Sequence, residues 1–449
     1  MNFNQQTAMK KTALFLFFLM ASAQGIAQTE PKFEKIDQLL NHFYTNDRFM
    51  GSVSIREGND VVFENAYGYT DAENGIKANT HTKYKIGSIT KMFTAAIVLQ
   101  LIEDKKLTLN TKLSQFYPEI KNADSITIDH LLSHKSGIYN YTNADDFMEY
   151  TKNAQTKMEM LKRIAGFDPV FKPGEKAEYS NSNYVLLGYI IEDVTKKTYK
   201  ANINDRITRP LKLTDTYYYS KTNPKRNEAY SYTFEGDKWV QSDEWDSSVA
   251  YAAGALVSTP NDLTKFIKAL FDGKIIKKES LETMKTMDMG YGRGMFIFPF
   301  NSRNFYGHNG GIESFTSVLG YYPKEQMSIS VIQNGSNYDL NEILVGILSC
   351  YYKIPYPLPN LTIAEVAPEV LKGYEGNYNS SEIPLEITVK YTENGLTAQA
   401  TGQSAFPLTP TSDTQFIFNQ ANIEITFKDN NSFILKQGQM QFNYTRKEQ

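Results

Sequence analysis

The stretch Lys85–Leu101 passes from a polar start, Lys85-Ile86-Gly87-Ser88-Ile89-Thr90-Lys91, into a nearly unbroken apolar run that ends Ala95-Ala96-Ile97-Val98-Leu99-Gln100-Leu101. A helix that is apolar on most faces has to be wrapped by other elements, so this segment predicts the centre of a core. Ser88 falls in its first turn and Lys91 three positions on, which stacks a hydroxyl and an amine on one face about a turn apart. That is a nucleophile beside its activating base. Free amide hydrogens and the positive dipole end at a helix start favour an alkoxide, and a buried lysine loses proton affinity by desolvation until it can accept a proton. The same two residues also read as a capping serine and a snorkelling lysine. Ser-x-x-Lys arises by chance roughly once or twice in a chain of this composition, so the surroundings decide.

At 449 residues, 41% of them hydrophobic, the chain has room for two or three domains and ample material for a sizeable core. A net charge of −3 with mixed signs leaves no basic face, which argues against nucleic acid as a partner. The single cysteine, Cys350, sits in an apolar run and reads as core packing, and no disulfide can close within the chain. One cysteine and five histidines without paired-cysteine spacing predict neither a metal nor a cofactor. Lys10 and Lys11 precede the short apolar run Thr12–Met20 and the small residues Ala21-Ser22-Ala23. Residues 1–27 therefore read as a secretory signal peptide, cleaved after Ala23 or Ala27, and the expected location is secreted or periplasmic. An uncleaved membrane anchor is the alternative, and Met9 is a second candidate initiator.

Taken in order, Phe33–Phe49 has helical spacing, and Ser52–Ile55 with Val61–Phe63 read as strands around a turn at Glu57–Asp60. Thr127–His134 predicts a short capped helix and Asp145–Ile164 further helical patterns. Pro173-Gly174 breaks the chain before the polar loop Tyr179–Tyr184, after which Val185–Val194 resumes a helix. Leu263–Phe271 and Leu340–Tyr352 are helix candidates; Tyr291–Phe298, Gly311–Tyr321 and Met327–Gln333 are strand candidates. Spaced prolines make 355–370 a linker, and from Leu371 to Gln449 short alternating strands predict a small barrel or sandwich.

Two more short motifs would have to meet Ser88 and Lys91. Tyr-x-Asn occurs at Tyr44, Tyr141 and Tyr179, and only Tyr179-Ser180-Asn181 follows a Pro-Gly break and precedes an apolar helix. A tyrosine near a lysine ammonium deprotonates at reduced cost and can shuttle protons at Ser88, while the Asn181 amide can bind a substrate carbonyl. His308-Asn309-Gly310-Gly311 leads into a strand candidate; His308 can bond a substrate carboxylate or Tyr179, and the glycines allow close backbone approach. Lys135-Ser136-Gly137 and Lys436-Gln437-Gly438 fit a Lys-x-Gly pattern better, but order and context reject them: the first precedes Tyr179 and the second lies beyond the linker.

With these motifs in this order, the chain resembles the serine β-lactamase-like hydrolases, which include class C β-lactamases, D-alanyl-D-alanine carboxypeptidases, penicillin-binding-protein-like enzymes, D-aminopeptidases and esterases. The resemblance runs from about Phe33 to Tyr352 and includes Ile128–Ile138 and Ala253–Asp262. It implies an α/β (α+β) fold over residues 30–354, an antiparallel sheet flanked by helices with a helical subdomain, and a lipocalin-like barrel over 371–449. It implies an acyl-enzyme on Ser88 with Lys91 and Tyr179 managing its proton, Asn181, His308, Asn309 and Gly310 binding substrate, and an oxyanion hole from the backbone N–H groups of Ser88 and Gly311. Where β-lactamases of this group carry Lys-Thr-Gly, this chain has His308-Asn309-Gly310, so a penicillin carboxylate loses its fixed cation. The expected activity is hydrolysis of D-amino-acid-containing peptides or related amides. A carboxylesterase, a β-lactamase and a non-catalytic binder of cell-wall peptides are the alternatives.

Overall fold

The computed structural model describes residues 31–447 apart from 419, 420, 422, 438 and 439; the expected signal peptide lies outside the described residues. Six strands pair antiparallel in the order Phe296–Phe300, Arg303–Ile312, Phe315–Tyr322, Met327–Ser336, Phe49–Glu57, Asp60–Tyr67. The predicted turn at Glu57–Asp60 closes the hairpin of the last two. Phe49–Glu57 also pairs with Met327–Ser336, so the beginning and end of the part that precedes the barrel share one sheet. A further hairpin, Tyr232–Glu235 with Lys238–Gln241, joins it where Tyr232 meets Gly335.

Side chains alternate across these strands. One face, carrying Val53, Ile55, Val318, Ile329 and Val331, is covered by helices Pro31–Thr45 and Leu340–Tyr351, which add Ile36, Leu39, Ile343 and Ile347 to the same cluster. The other face packs against Pro260–Phe271, a helix that Thr259 caps and Pro260 starts. Next to it lies Thr90–Glu103, whose residues from Thr90 to Leu99 are all buried, as an all-round apolar sequence requires. Phe93 stacks on Phe266 at 3.7 Å between ring centroids, and helices Asn181–Thr195 and Ser247–Gly254 close around the rest.

The architecture is the mixed helix and antiparallel-sheet class expected, and from Gly376 to Arg446 eight strands form a closed barrel. Tyr378 pairs with Arg446 to shut it, and Phe427, Phe433 and Tyr444 pack inside. A helix at Pro368–Gly373 precedes it, where the end of the linker and then strands were expected; proline at its first position supplies the start signal. Asp145–Ile164 holds two helices, Phe147–Tyr150 and Lys157–Gly166, the second begun by a capping box of Thr156 and Glu159. The strand expected over Gly311–Tyr321 is present from Phe315, and its expected start is a hairpin corner: Ile312 pairs with Phe315, and Glu313 between them takes φ 54°. A left-handed residue there turns the chain, so His308–Gly311 lies inside a strand rather than ahead of one. Similarly, the strand expected from Tyr291 begins at Phe296, because Gly294 at φ 74° bends the chain first.

Candidate active site

Ser88 sits in a single 3₁₀ turn, Gly87–Ile89, immediately before the helix that starts at Thr90. The tighter turn still leaves Lys91 Nζ 2.9 Å from Ser88 Oγ. The same amine lies 2.8 Å from Asn181 Oδ1 and 2.8 Å from the Ala253 carbonyl oxygen. Both of those atoms can only accept. Lys91 is fully buried, and desolvation holds its pKa well below the ordinary lysine value. In its neutral form the amine has two hydrogens and one lone pair; with the hydrogens on Asn181 and Ala253, the lone pair would face the Ser88 hydroxyl.

Tyr179 donates to Ser88 Oγ from the other side at 2.7 Å. Burial raises its pKa above the ordinary tyrosine value, with the hydrogen bond to Ser88 opposing. The easy ionisation expected from a neighbouring ammonium is therefore corrected: burial opposes a charge on Tyr179 as it opposes one on Lys91. Asn181 opens the helix Asn181–Thr195, its amide nitrogen donating to Thr142 Oγ1 at 3.2 Å and its backbone N–H to Asn140 Oδ1 at 3.0 Å.

Gly87 explains how the strand reaches the serine. At φ 50° it has no side chain, and a Cβ there would stand 2.7 Å from the Gly311 nitrogen. The backbones of Gly87 and Gly311 can come this close only because nothing fills that gap. Gly310 serves the same contact one residue earlier, where a Cβ would meet the Ile86 carbonyl oxygen at 2.1 Å.

His308 is buried beside this group, its ring 4.4 Å from Phe296 and 6.4 Å from Tyr179 between centroids. Burial, with Lys91 nearby, pushes its pKa down to about 3, so the ring is neutral. Its Nδ1 engages the Asn309 carbonyl at 2.5 Å rather than Tyr179, and Nε2 has no hydrogen-bond partner among the described residues. Asn309 points the other way. Adjacent strand residues alternate, and the exposed Asn309 lines a groove of about 670 Å³ with Phe298, Val318 and Leu344 on the far face of the sheet. Ser88, Lys91, Tyr179, Asn181 and His308 thus gather in one place, and the Asn309 side chain does not join them.

Several groups that shape the site carried no signal in sequence reasoning. His134, at φ 58°, accepts the Ser180 N–H at Nδ1 over 3.2 Å and lies 4.5 Å from the Tyr179 ring, fixing the loop that presents Tyr179. Its four-residue separation from His130 is a metal-like spacing that sequence reasoning overlooked. Here His134 serves Tyr179 instead, and among the described residues no group of three His, Cys, Asp or Glu side chains could hold a metal. Tyr251, at φ 40° and ψ −130°, breaks the helix Ser247–Gly254 and frees the carbonyls of Ala252 and Ala253, which accept from Thr94 and Lys91. The Lys-Ser-Gly rival is engaged elsewhere, Lys135 pairing with Asp288, and Lys436 pairs with Glu424 on the barrel.

A family model described as Beta-lactamase matches residues 36–343. The chain belongs to the beta-lactamase family. Among the relatives of this beta-lactamase-family chain, Protein flp of Staphylococcus aureus (strain N315) is 30% identical over 320 residues, 67% of this chain and 63% of its own length. The chain thus spans a little under two thirds of that protein. Teichoic acid D-alanine hydrolase of Staphylococcus aureus (strain MRSA252) is 29% identical over 316 residues, covering 69% and 75%. Among solved structures, D-amino acid amidase from Ochrobactrum anthropi SV3 aligns with a TM-score of 0.66 at 27% identity, over 72% of this chain and 99% of that one. The octameric penicillin-binding protein homologue from Pyrococcus abyssi aligns at 0.67 and 27%, over 91% and 99%. Two of these relatives, the teichoic acid D-alanine hydrolase and the D-amino acid amidase, carry the names of hydrolytic enzymes. Among the described residues no helix is long and apolar enough to cross a membrane.

Proposed function

We propose that this chain is an exported serine hydrolase that cleaves amides of D-amino acids, including D-alanine-containing peptides, through an acyl-enzyme on Ser88. The observation that carries the reading is the position of Ser88 Oγ between a buried amine at 2.9 Å and a phenol at 2.7 Å. The amidase and D-alanine hydrolase among the relatives support a D-amino acid as the acyl part. A leader with two lysines and a short apolar run supports export.

Lys91 takes the Ser88 proton as Oγ bonds to the substrate carbonyl carbon, and charge on the carbonyl oxygen meets the N–H groups of Ser88 and Gly311. Tyr179 gives its hydrogen to the leaving nitrogen as the C–N bond breaks, and the Lys91 ammonium returns one to Tyr179. Water then adds to the ester carbon, the C–Oγ bond breaks, and Ser88 regains its proton. A neutral His308 offers no fixed cation for a carboxylate, which supports an uncharged leaving side over a β-lactam.

An amide nitrogen must be protonated to leave, whereas an ester oxygen leaves more readily. Tyr179→Phe is therefore expected to lower kcat on D-alanine p-nitroanilide far more than on a D-alanine ester, with Ser88→Ala inactive on both. Equal losses on the two substrates would overturn the role of Tyr179, and activity of Ser88→Ala would overturn the reading as a whole.

A further inference from the structure

Ser88 and Gly311 lie on separate elements, so the gap between their N–H groups depends on what ties those elements together. Ser317 Oγ donates to the Ile86 carbonyl at 3.0 Å, and a second tie is ionic. Lys85 precedes Ser88 by three residues and Glu313 follows Gly311 by two. Lys85 Nζ lies 2.6 Å from Glu313 Oε1 and 3.2 Å from Glu244 Oε2. The Lys85 and Glu313 side chains are only 2% and 1% exposed.

Glu313 is the left-handed corner residue of the hairpin, so its carboxylate turns inward beneath the strand end that carries Gly311. There it also accepts the Trp245 N–H at 2.7 Å and the Ser231 hydroxyl at 3.4 Å. Glu244 is itself held by the Thr222 N–H at 3.0 Å. Lys85 is anchored from its own side, its backbone pairing with Val257 and its ammonium 4.6 Å from the Tyr219 ring centre. A buried ion pair repays little of its desolvation cost, so net stability is a poor account of it. What it does provide, together with the Ser317–Ile86 hydrogen bond, is a fixed distance between two backbones that approach each other at glycines.

We propose that the Lys85–Glu313 pair is a positioning clamp that holds the two backbone donors of the oxyanion hole at their working separation. It rests on the reading of Ser88 as nucleophile. Both side chains are buried, and both act through the turn before Ser88 and the hairpin corner after Gly311.

Glu313→Gln keeps an oxygen for the Trp245 N–H and removes the charge that Lys85 holds. Misplacement of reacting groups by about 1 Å costs on the order of 100-fold, so kcat is expected to fall about 10- to 100-fold with KM little changed. A boronic acid that forms a tetrahedral adduct on Ser88 should lose affinity by a similar factor. Lys85→Met should behave alike, and Lys85→Arg, which keeps the cation, should retain most of the rate. The double variant Lys85→Met/Glu313→Leu guards against simple unfolding: its melting midpoint should stay near wild type while its rate stays low. Undiminished kcat or boronate affinity in Glu313→Gln, or a double variant that recovers full rate, would overturn the clamp. Wild-type turnover no greater than that of Ser88→Ala would overturn the nucleophile assignment instead.

Discussion

Replacing Lys91 by Met separates what the buried amine costs the fold from what it gives the chemistry. Lys91 is fully buried, its pKa is depressed by desolvation, and among the described residues its hydrogen-bond partners are Ser88, Asn181 and Ala253, none of them a carboxylate. In the unfolded chain the same amine is an ammonium up to a pKa of about 10.4. Folding therefore releases a proton in the window between the depressed folded pKa and the unfolded one. In that window the unfolded state binds more protons, so stability rises with pH and falls as the solution is acidified, by rather more than about 1 kcal/mol for each pH unit. Met has similar length and no charge to neutralise, so Lys91→Met should lack this slope and should be the more stable protein at pH 7. Its loss of hydrogen bonds to Asn181 and Ala253 offsets part of the gain, but that loss is independent of pH. Both tryptophans, Trp239 and Trp245, lie in the hydrolase part, so their fluorescence during urea unfolding at pH 7, 8 and 9 follows that part and not the barrel. Hydrolysis should be abolished in the same variant. Equal pH slopes in wild type and Lys91→Met would mean that the lysine enters the fold as an ammonium, and the assignment of a resting general base would fail.

Two neighbouring glycines should respond oppositely to alanine. Gly87→Ala places a Cβ 2.7 Å from the Gly311 nitrogen at a positive φ and should cut kcat about 100-fold or more by spreading the oxyanion donors, whereas a Cβ on Gly311 meets nothing within 4 Å and should leave the stability of the fold unchanged. Steady-state rates and melting curves of the two proteins check this, and equal damage from both would refute it. His308, with its pKa near 3, is neutral across pH 5 to 8, so His308→Gln should change the level of kcat/KM without moving its acid limb. A limb displaced in that variant would make the histidine, and not Lys91, the group that titrates.

The parts of the site that were legible in the sequence are those with a local signature. Ser88 and Lys91 are tied by helical spacing, and Tyr179-Ser180-Asn181 is marked by the Pro-Gly break before it and the apolar helix after it. What stayed hidden is set by backbone conformation at single residues. Nothing in the composition around Tyr251 signals that the helix breaks there and turns two carbonyls toward Lys91 and Thr94. The left-handed Glu313 moved a strand boundary, and with it the parity of the strand, which is why Asn309 faces an outer groove while His308 faces the serine. In the barrel, alternation gave the strands but not whether they close, because closure depends on Tyr378 finding Arg446 across the length of the domain.

The apolar helix and the chemistry at its start have one cause. A lysine on a half-exposed helix would keep its ordinary proton affinity, and the serine beside it would have no base. Lys91 is deprived of water because Thr90–Glu103 is wrapped by Asn181–Thr195 and Ser247–Gly254 near the serine and by Tyr199–Ile203 and Lys278–Lys285 further along, with Phe93 stacked on Phe266. The wrapping elements also supply the partners that orient the amine: Asn181 begins the first of those helices, and Ala253 lies past the break in the second. Packing that would be excessive for a surface helix thus sets both the protonation state of Lys91 and the direction of its lone pair. A polar substitution that admits water at the flanking turns, such as Ala95→Ser opposite Gly294, should raise the Lys91 pKa and move the acid limb of kcat/KM upward, while leaving Ser88 and Tyr179 in place.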